Sequence, residues 1–203
     1  MLWCRQPSEE LCRFMEASPA PFYLGLGSTN VSNPEQIVRC CVEALQTSRQ
    51  RLIIVGALAK SLDPKYLDNH AVMTADHVDH RWLLPLTSCV VHHGGAGTTG
   101  AAFKSGVPQI VIPIEYDQFF WAEKAKELGV SPDMVLAPSI SVKLMQSAVE
   151  FVLQQEVRER AASIRCILDA DDGAATAAEV LKMYLIEFNK ANGKKLICGR
   201  RKV

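Results

Sequence analysis

The chain has 203 residues, 48% hydrophobic and 22% charged, the make-up of an ordinary globular protein with length for one large domain or two small ones. Lys plus Arg number 22 and so do Asp plus Glu, so no net basic field marks a nucleic-acid binder. No apolar run is long enough to span a bilayer, and the N-terminal MLWCRQPSEELCRFMEASP carries no signal-peptide core.

The first apolar run is PFYLGLGS, residues 21–28, which reads as a buried strand feeding a tight loop. NPEQIVRCCVEALQ (33–46) then opens a helix, with Asn33 as N-cap, Pro34 at the first helical position and Glu35 in the first turn. Ile37, Val38, Cys41, Val42 and Leu45 recur along it at helical spacing. RLIIVGAL (51–58) and AVMTA (71–75) read as the second and third strands, and SCVVHH (88–93) as the fourth. A helix from about Thr98 to Lys104 follows, then a fifth strand in PQIVIPI (108–114) and a helix over 118–129 that Gly129 closes. Residues 141–188 read as two or three helices with no strand. The tail KANGKKLICGRRKV is basic and glycine-broken, which suits a disordered end or a weak contact with an anionic membrane surface.

Strands that are short apolar runs, alternating with helices, predict an α/β fold: a Rossmann-like parallel sheet with helices on both faces, plus C-terminal helices. Seven cysteines, an odd number with no CxxC pair, predict reduced thiols and neither a disulfide framework nor a zinc site.

Ligands of open parallel sheets bind at the carboxyl ends of the strands. Three loops fall there: GLGSTN, HHGGAGTT and IEYDQ. In the second, glycines admit an anion close to the backbone, and the helix that follows adds unpaired N–H groups and a positive dipole end. His93 can donate to a phosphate oxygen, with Ser28 facing it from the first loop. The dinucleotide fingerprint fails, because Asn30 stands at its third glycine and no acidic residue ends RLIIVGAL. A Walker loop is absent. Asp117 and Gln118 offer acceptors and an amide suited to sugar hydroxyls, although Asp-Gln is equally the start of a helix.

VVHHGGAGTTGAAFKSGVPQIVIPIEYDQFFWAEKAKELGVSP resembles the donor-sugar signature of GT-B glycosyltransferases that use UDP-sugars, above all sterol glucosyltransferases and bacterial antibiotic-glycosylating enzymes. DHVDHRWLLP (76–85) resembles the segment framing the uracil in that family, and LWCRQPSEELCRFM its linker and leading helix. The resemblance covers roughly residues 2–135. It implies a linker and leading helix over 1–20, a UDP-sugar donor-binding domain over 21–188 and a basic tail over 189–203. It places Ser28 near the diphosphate, Val78 and His80 at the uracil, and His93 on the phosphate nearest the nucleoside. Ala96, Gly97 and Thr98 become the phosphate loop, and Asp117 with Gln118 the pair that holds glucose hydroxyls. His92, by alternation, points away from His93 into the sheet–helix packing. Ala101 stands where plant small-molecule members carry a glutamate for the ribose, and the region of their uracil-stacking tryptophan offers only Asp76, His77 and Val78.

The implied donor is UDP-glucose, used without a metal or prosthetic group, for inverting transfer to a lipid or small-molecule hydroxyl such as a sterol. The implied setting is cytoplasmic, with peripheral membrane contact. The family's acceptor domain and catalytic base have no counterpart in the twenty residues before PFYLGLGS, so the chain is expected to be inactive without an acceptor-binding domain or partner chain. A non-catalytic nucleotide-sugar-binding module is the second reading, and an unrelated Rossmann-like enzyme such as an epimerase the third. Phe119, Phe120 and Trp121 are expected to contribute to an exposed aromatic patch.

Overall fold

The structure, a computed structural model, describes residues 7–67 and 71–191. His70 and the tail beyond residue 191 lie outside the described residues. The backbone divides into two compact units after Cys166.

The first unit begins with helix α1, Glu9–Glu16, whose N-cap Ser8 accepts from the Leu11 N–H at 3.2 Å. Strand β1, Phe22–Gly25, is wholly buried. Helix α2, Pro34–Thr47, starts as its sequence predicts, with the Asn33 side chain accepting from the Gln36 N–H at 3.3 Å. Strand β2 is Leu52–Val55 and strand β3 Val72–Ala75. The strand expected to reach residue 58 stops early because Gly56 turns the chain through φ +80°, into a tight 3-10 segment. A helix α3 of four residues, His80–Leu83, precedes strand β4, Cys89–His92. Helix α4 is Ala96–Ser105, strand β5 Gln109–Val111 and helix α5 Gln118–Glu127. Helices α6 (Val142–Val152) and α7 (Gln155–Asp169) follow.

All neighbouring strands are parallel, in the order β3-β2-β1-β4-β5. The chain winds outward from β1 in one direction, then crosses back to β4, so the order reverses between β1 and β4. In doubly wound sheets a crevice opens at that reversal, outside the strand ends. Side-chain alternation sends Phe22, Leu24, Ile54, Val91 and Ile110 to one face, under α2 and α6. Tyr23, Ile53 and Val90 go to the other, packed with Leu11, Leu83 and Ala102 of α1, α3 and α4. The expected two-sided covering of the sheet is present.

One buried cation ties the leading segment to this sheet. Arg51 is 7% exposed, its guanidinium 3.9 Å from the Phe14 ring centroid. It donates to the carbonyls of Phe14, Ala17 and Pro19.

In the second unit, helix α8 runs Gly173–Ala191 with no buried residue. Val180, Leu181, Tyr184, Leu185 and Phe188, all exposed, fall at helical spacing on one side of it.

Candidate functional site

The reversal point gathers the three loops singled out in the sequence. The loop after β1 carries Gly27 and Ser28, both exposed. The loop after β4 carries His93 and leads into α4. The two meet at the His93 imidazole. A side chain on Gly27 would come within 3.0 Å of its Cε1, and one on Gly95 within 2.4 Å of its Nε2. The ring therefore sits in a slot that exists because both positions lack a Cβ.

His93 is half-buried, and its Nδ1 is buried without a hydrogen-bond partner. A buried N–H left unpaired is rarer and more destabilising than an under-used acceptor. The proton of the neutral ring is thus assigned to Nε2, beside Gly95. Burial pushes the His93 pKa down, while Asp117 and Glu115 pull it up. Both carboxylates are therefore near enough to act on the ring.

Helix α4 begins without a side-chain cap: its N-cap is Gly95. The first-turn N–H groups of Ala96, Gly97 and Thr98 have no intrahelical acceptor. Ala96 and Gly97 are exposed and Thr98 half-buried. Thr99, by contrast, is wholly buried and returns its hydroxyl to the Gly95 carbonyl at 3.0 Å. An uncapped helix N-terminus beside an imidazole N–H suits an anion with several acceptor oxygens.

The loop after β5 approaches from the other side. A Cβ on Gly94 would lie 2.8 Å from the Gln118 carbonyl oxygen, so the two loops touch there. Gln118 is 6% exposed, and its Oε1 accepts from the N–H groups of Ile114 (2.8 Å) and Glu115 (3.1 Å). That bracing leaves the Gln118 amide NH2 for a ligand and uses the oxygen for the loop. Asp117 stands at the N-cap position of α5 yet makes no cap hydrogen bond. Its Oδ2 accepts instead from the Trp121 indole N–H at 3.0 Å. The exposed carboxylate is thus held, not spent on the helix start. Tyr116, immediately before Asp117, adopts φ +53° and is 85% exposed, a backbone conformation rare for a side chain of that size. Of the expected aromatic patch, Phe119 and Phe120 are exposed at 40% and 54%, whereas Trp121 is half-buried.

Val78 and His80 occupy the segment after β3. Val78 packs partly buried against the α3 side of the core. His80 points inward: its Nε2 is 3.0 Å from the Tyr23 hydroxyl, ring edge to ring face. Burial lowers the His80 pKa and raises that of Tyr23 to about 12. Any ligand contact by His80 must therefore use its other ring edge or its backbone. Among the described residues, no cluster of three or more His, Cys, Asp or Glu is placed to hold a metal ion.

Sequence reasoning singled out the three loops, which meet at Gly27–His93 and Gly94–Gln118. It missed Trp121 as the partner of Asp117, a contact whose signal is the spacing of four along α5. It also missed Tyr23 beneath His80, which lies 57 positions away and left no local signal.

Residues 53–184 match the family described as erythromycin biosynthesis protein CIII-like, C-terminal domain. A sterol 3-beta-glucosyltransferase of Arabidopsis thaliana is 36% identical over 183 residues, covering 89% of this chain and 28% of the relative. The vancomycin aglycone glucosyltransferase of Amycolatopsis orientalis is 34% identical over 177 residues, 87% of this chain and 42% of the relative. The chain thus spans less than half the length of these curated relatives. Among solved structures, the glycotransferase of kitacinnamycin superposes with a TM-score of 0.67 at 26% identity, over 80% of this chain and 42% of that one. A UDP-glucose:anthocyanidin 3-O-glucosyltransferase in complex with UDP superposes at 0.71 and 21% identity, over 85% of this chain and 41% of that one, a likeness of fold.

Proposed function

The chain belongs to the erythromycin biosynthesis protein CIII-like C-terminal domain family of GT-B glycosyltransferases, and on that premise we propose that it binds a UDP-sugar, with UDP-glucose as the expected donor. The observation that carries the reading is the half-buried His93 imidazole, slotted between glycines of two loops beside the uncapped start of α4. The diphosphate accepts from His93 Nε2 and from the first-turn N–H groups, with Ser28 closing from the β1 loop. The uracil lies along Val78 and His80. Asp117 and the Gln118 amide meet the sugar hydroxyls.

The reaction proposed is inverting transfer of the sugar to a lipid or small-molecule hydroxyl, such as that of a sterol. As the anomeric carbon–oxygen bond breaks, charge gathers on the departing diphosphate. Fixed N–H donors at a helix start stabilise that charge without reorganising. The base that deprotonates the acceptor, and the surface that holds it, are proposed to come from an acceptor-binding domain or partner chain. We place the protein in the cytoplasm with peripheral membrane contact. A non-catalytic nucleotide-sugar-binding module is the second reading; restored transfer on adding an acceptor-binding half would exclude it.

Calorimetric titration with UDP and UDP-glucose tests the donor site. His93→Ala should weaken both ligands, by about 1.5–3 kcal/mol, roughly tenfold to hundredfold, for one charge-assisted hydrogen bond. Asp117→Ala should remove only the affinity that glucose adds. Absence of binding by the wild-type chain at millimolar concentration would remove the reading.

A further inference from the structure

His92 lies beneath the site and out of reach of any ligand: it is wholly buried. It stands opposite Gly25 on β1 and Val111 on β5. Both ring nitrogens are occupied. Nδ1 accepts from the Gly94 N–H at 3.0 Å, and Nε2 faces Gln109 Oε1 at 2.8 Å. A backbone N–H can only donate, so Nδ1 must be bare and the proton must sit on Nε2, donated to Gln109. Gln109 thereby fixes the tautomer that lets His92 hold Gly94.

Gly94 is the joint between two loops. Its φ of +85° is the left-handed turn that redirects the chain from β4 toward α4. Its Cα is packed so closely on the Gln118 carbonyl and Val111 that a Cβ would fall 2.8 and 2.9 Å from them. Gln118 in turn braces the Ile114 and Glu115 N–H groups. One contiguous path therefore runs from Gln109 through His92 and Gly94 to Gln118, and from there to the loop carrying Asp117.

We propose that His92 is a positioning residue that sets the phosphate-facing and sugar-facing loops in register with each other through Gly94. The inference rests on the donor-site reading and deepens it. It gives His92 a signature that neither His93 nor Asp117 has. His93 acts on the diphosphate alone, and Asp117 on the sugar alone. His92 acts on both, without touching either.

The test uses the full 203-residue chain. UDP and UDP-glucose affinities are measured for wild type, His92→Leu and His92→Asn, with amide exchange at Gly94 followed by NMR. Leucine fills the space but leaves the Gly94 N–H without an acceptor. Asparagine can restore one through Oδ1. For His92→Leu the expected result is UDP bound about tenfold more weakly, the order of one lost buried polar contact. The ratio of UDP-glucose to UDP affinity should also collapse to near one, and Gly94 exchange should accelerate. His92→Asn should keep both affinities within about threefold of wild type and Gly94 protected. A folded His92→Leu that binds both ligands as wild type does would overturn the proposal. So would Gly94 exchange that is the same in all three proteins. If His92→Leu does not fold, Gln109→Leu is read in the same assays. It frees the tautomer and should weaken UDP several-fold while accelerating Gly94 exchange, and no change in either would overturn the proposal. If the wild-type chain binds neither ligand, the donor-site reading fails by itself, and Gly94 exchange still decides whether His92 holds the turn.

Discussion

Burial of His92 makes stability depend on pH in a window fixed by the structure. Burial holds its pKa down at about 4, against an ordinary 6.5, with the hydrogen bond to Gln109 opposing and the neighbouring His93 and His80 assisting. Between those values the unfolded chain binds a proton that the folded chain refuses. Stability from this group is therefore complete above pH 6.5 and is lost as pH falls toward 4. Each pH unit is worth about 1.4 kcal/mol, so the interval as a whole amounts to about 3 kcal/mol. Urea unfolding of wild type and His92→Asn, in steps between pH 7 and 4.5, reads the slope directly. The asparagine side chain cannot titrate, so the variant should lose less stability across the window, whatever its stability at pH 7. His80 and His93 are also held down by burial, but both remain in the variant, so the difference between the two slopes isolates His92. Parallel pH profiles would show that His92 is protonated in the folded state or gains no protection from burial, and the tautomer argument would fall with it.

Gly97→Ala should separate binding from stability. A side chain there meets no atom within 4 Å, so alanine in place of a helical glycine should raise stability by about 0.5–1 kcal/mol. The methyl would occupy the space proposed for the diphosphate, so UDP affinity should fall at least about tenfold; unchanged affinity in calorimetry would move the anion elsewhere. Arg51→Ala should destabilise the chain by about 2–4 kcal/mol in urea unfolding, because carbonyls of Phe14, Ala17 and Pro19 lose their common donor; a loss under about 1 kcal/mol would mean water replaces it. The apolar side of α8 continues in sequence into Lys194, Lys195, Arg200, Arg201 and Lys202. Sedimentation with anionic vesicles should carry down the wild-type chain in a salt-sensitive way, and Leu181→Ser with Leu185→Ser should abolish this; no sedimentation of wild type would remove the membrane-contact proposal.

What the sequence made legible was local or periodic. Asn33 before Pro34 announced α2 to the residue, because a cap is a contact across three positions. The β strands were visible as apolar runs, since a strand covered on both faces has no polar side to show. HHGGAGTT before a helix marked the loop proposed to bind an anion for the same reason, all its parts being consecutive. What stayed hidden depends on neighbours that the chain brings together from a distance. The pairing of His92 with Gln109 needs the register of β4 against β5, which puts Val90 beside Gln109. The Tyr23–His80 contact needs the placement of α3 against β1. Helix α3 itself has four residues, too few for any period to emerge. Gln118 was expected to offer both ends of its amide to a sugar, and only the folded loop reveals that Oε1 is already engaged.

The glycines of GLGS and of HHGG looked like two separate features, each with its own loop to turn. In the folded chain Gly27 and Gly95 answer to one object. The first stands against Cε1 and the second against Nε2 of the same His93 ring. They come from either side of the strand-order reversal, one after β1 and one after β4. At Gly95 the backbone, with φ −61° and ψ 140°, would accept any residue. Only the imidazole forbids a side chain there, since a Cβ 2.4 Å from Nε2 would have to displace it. The ring is thus placed by packing before any ligand arrives, with Nδ1 left unpaired in the interior. An arrangement that leaves a polar atom unsatisfied and confines two loops to glycine is destabilising for the fold taken alone. Its compensation is a donor fixed in advance beside a helix start, which is what the proposed recognition of a departing diphosphate demands.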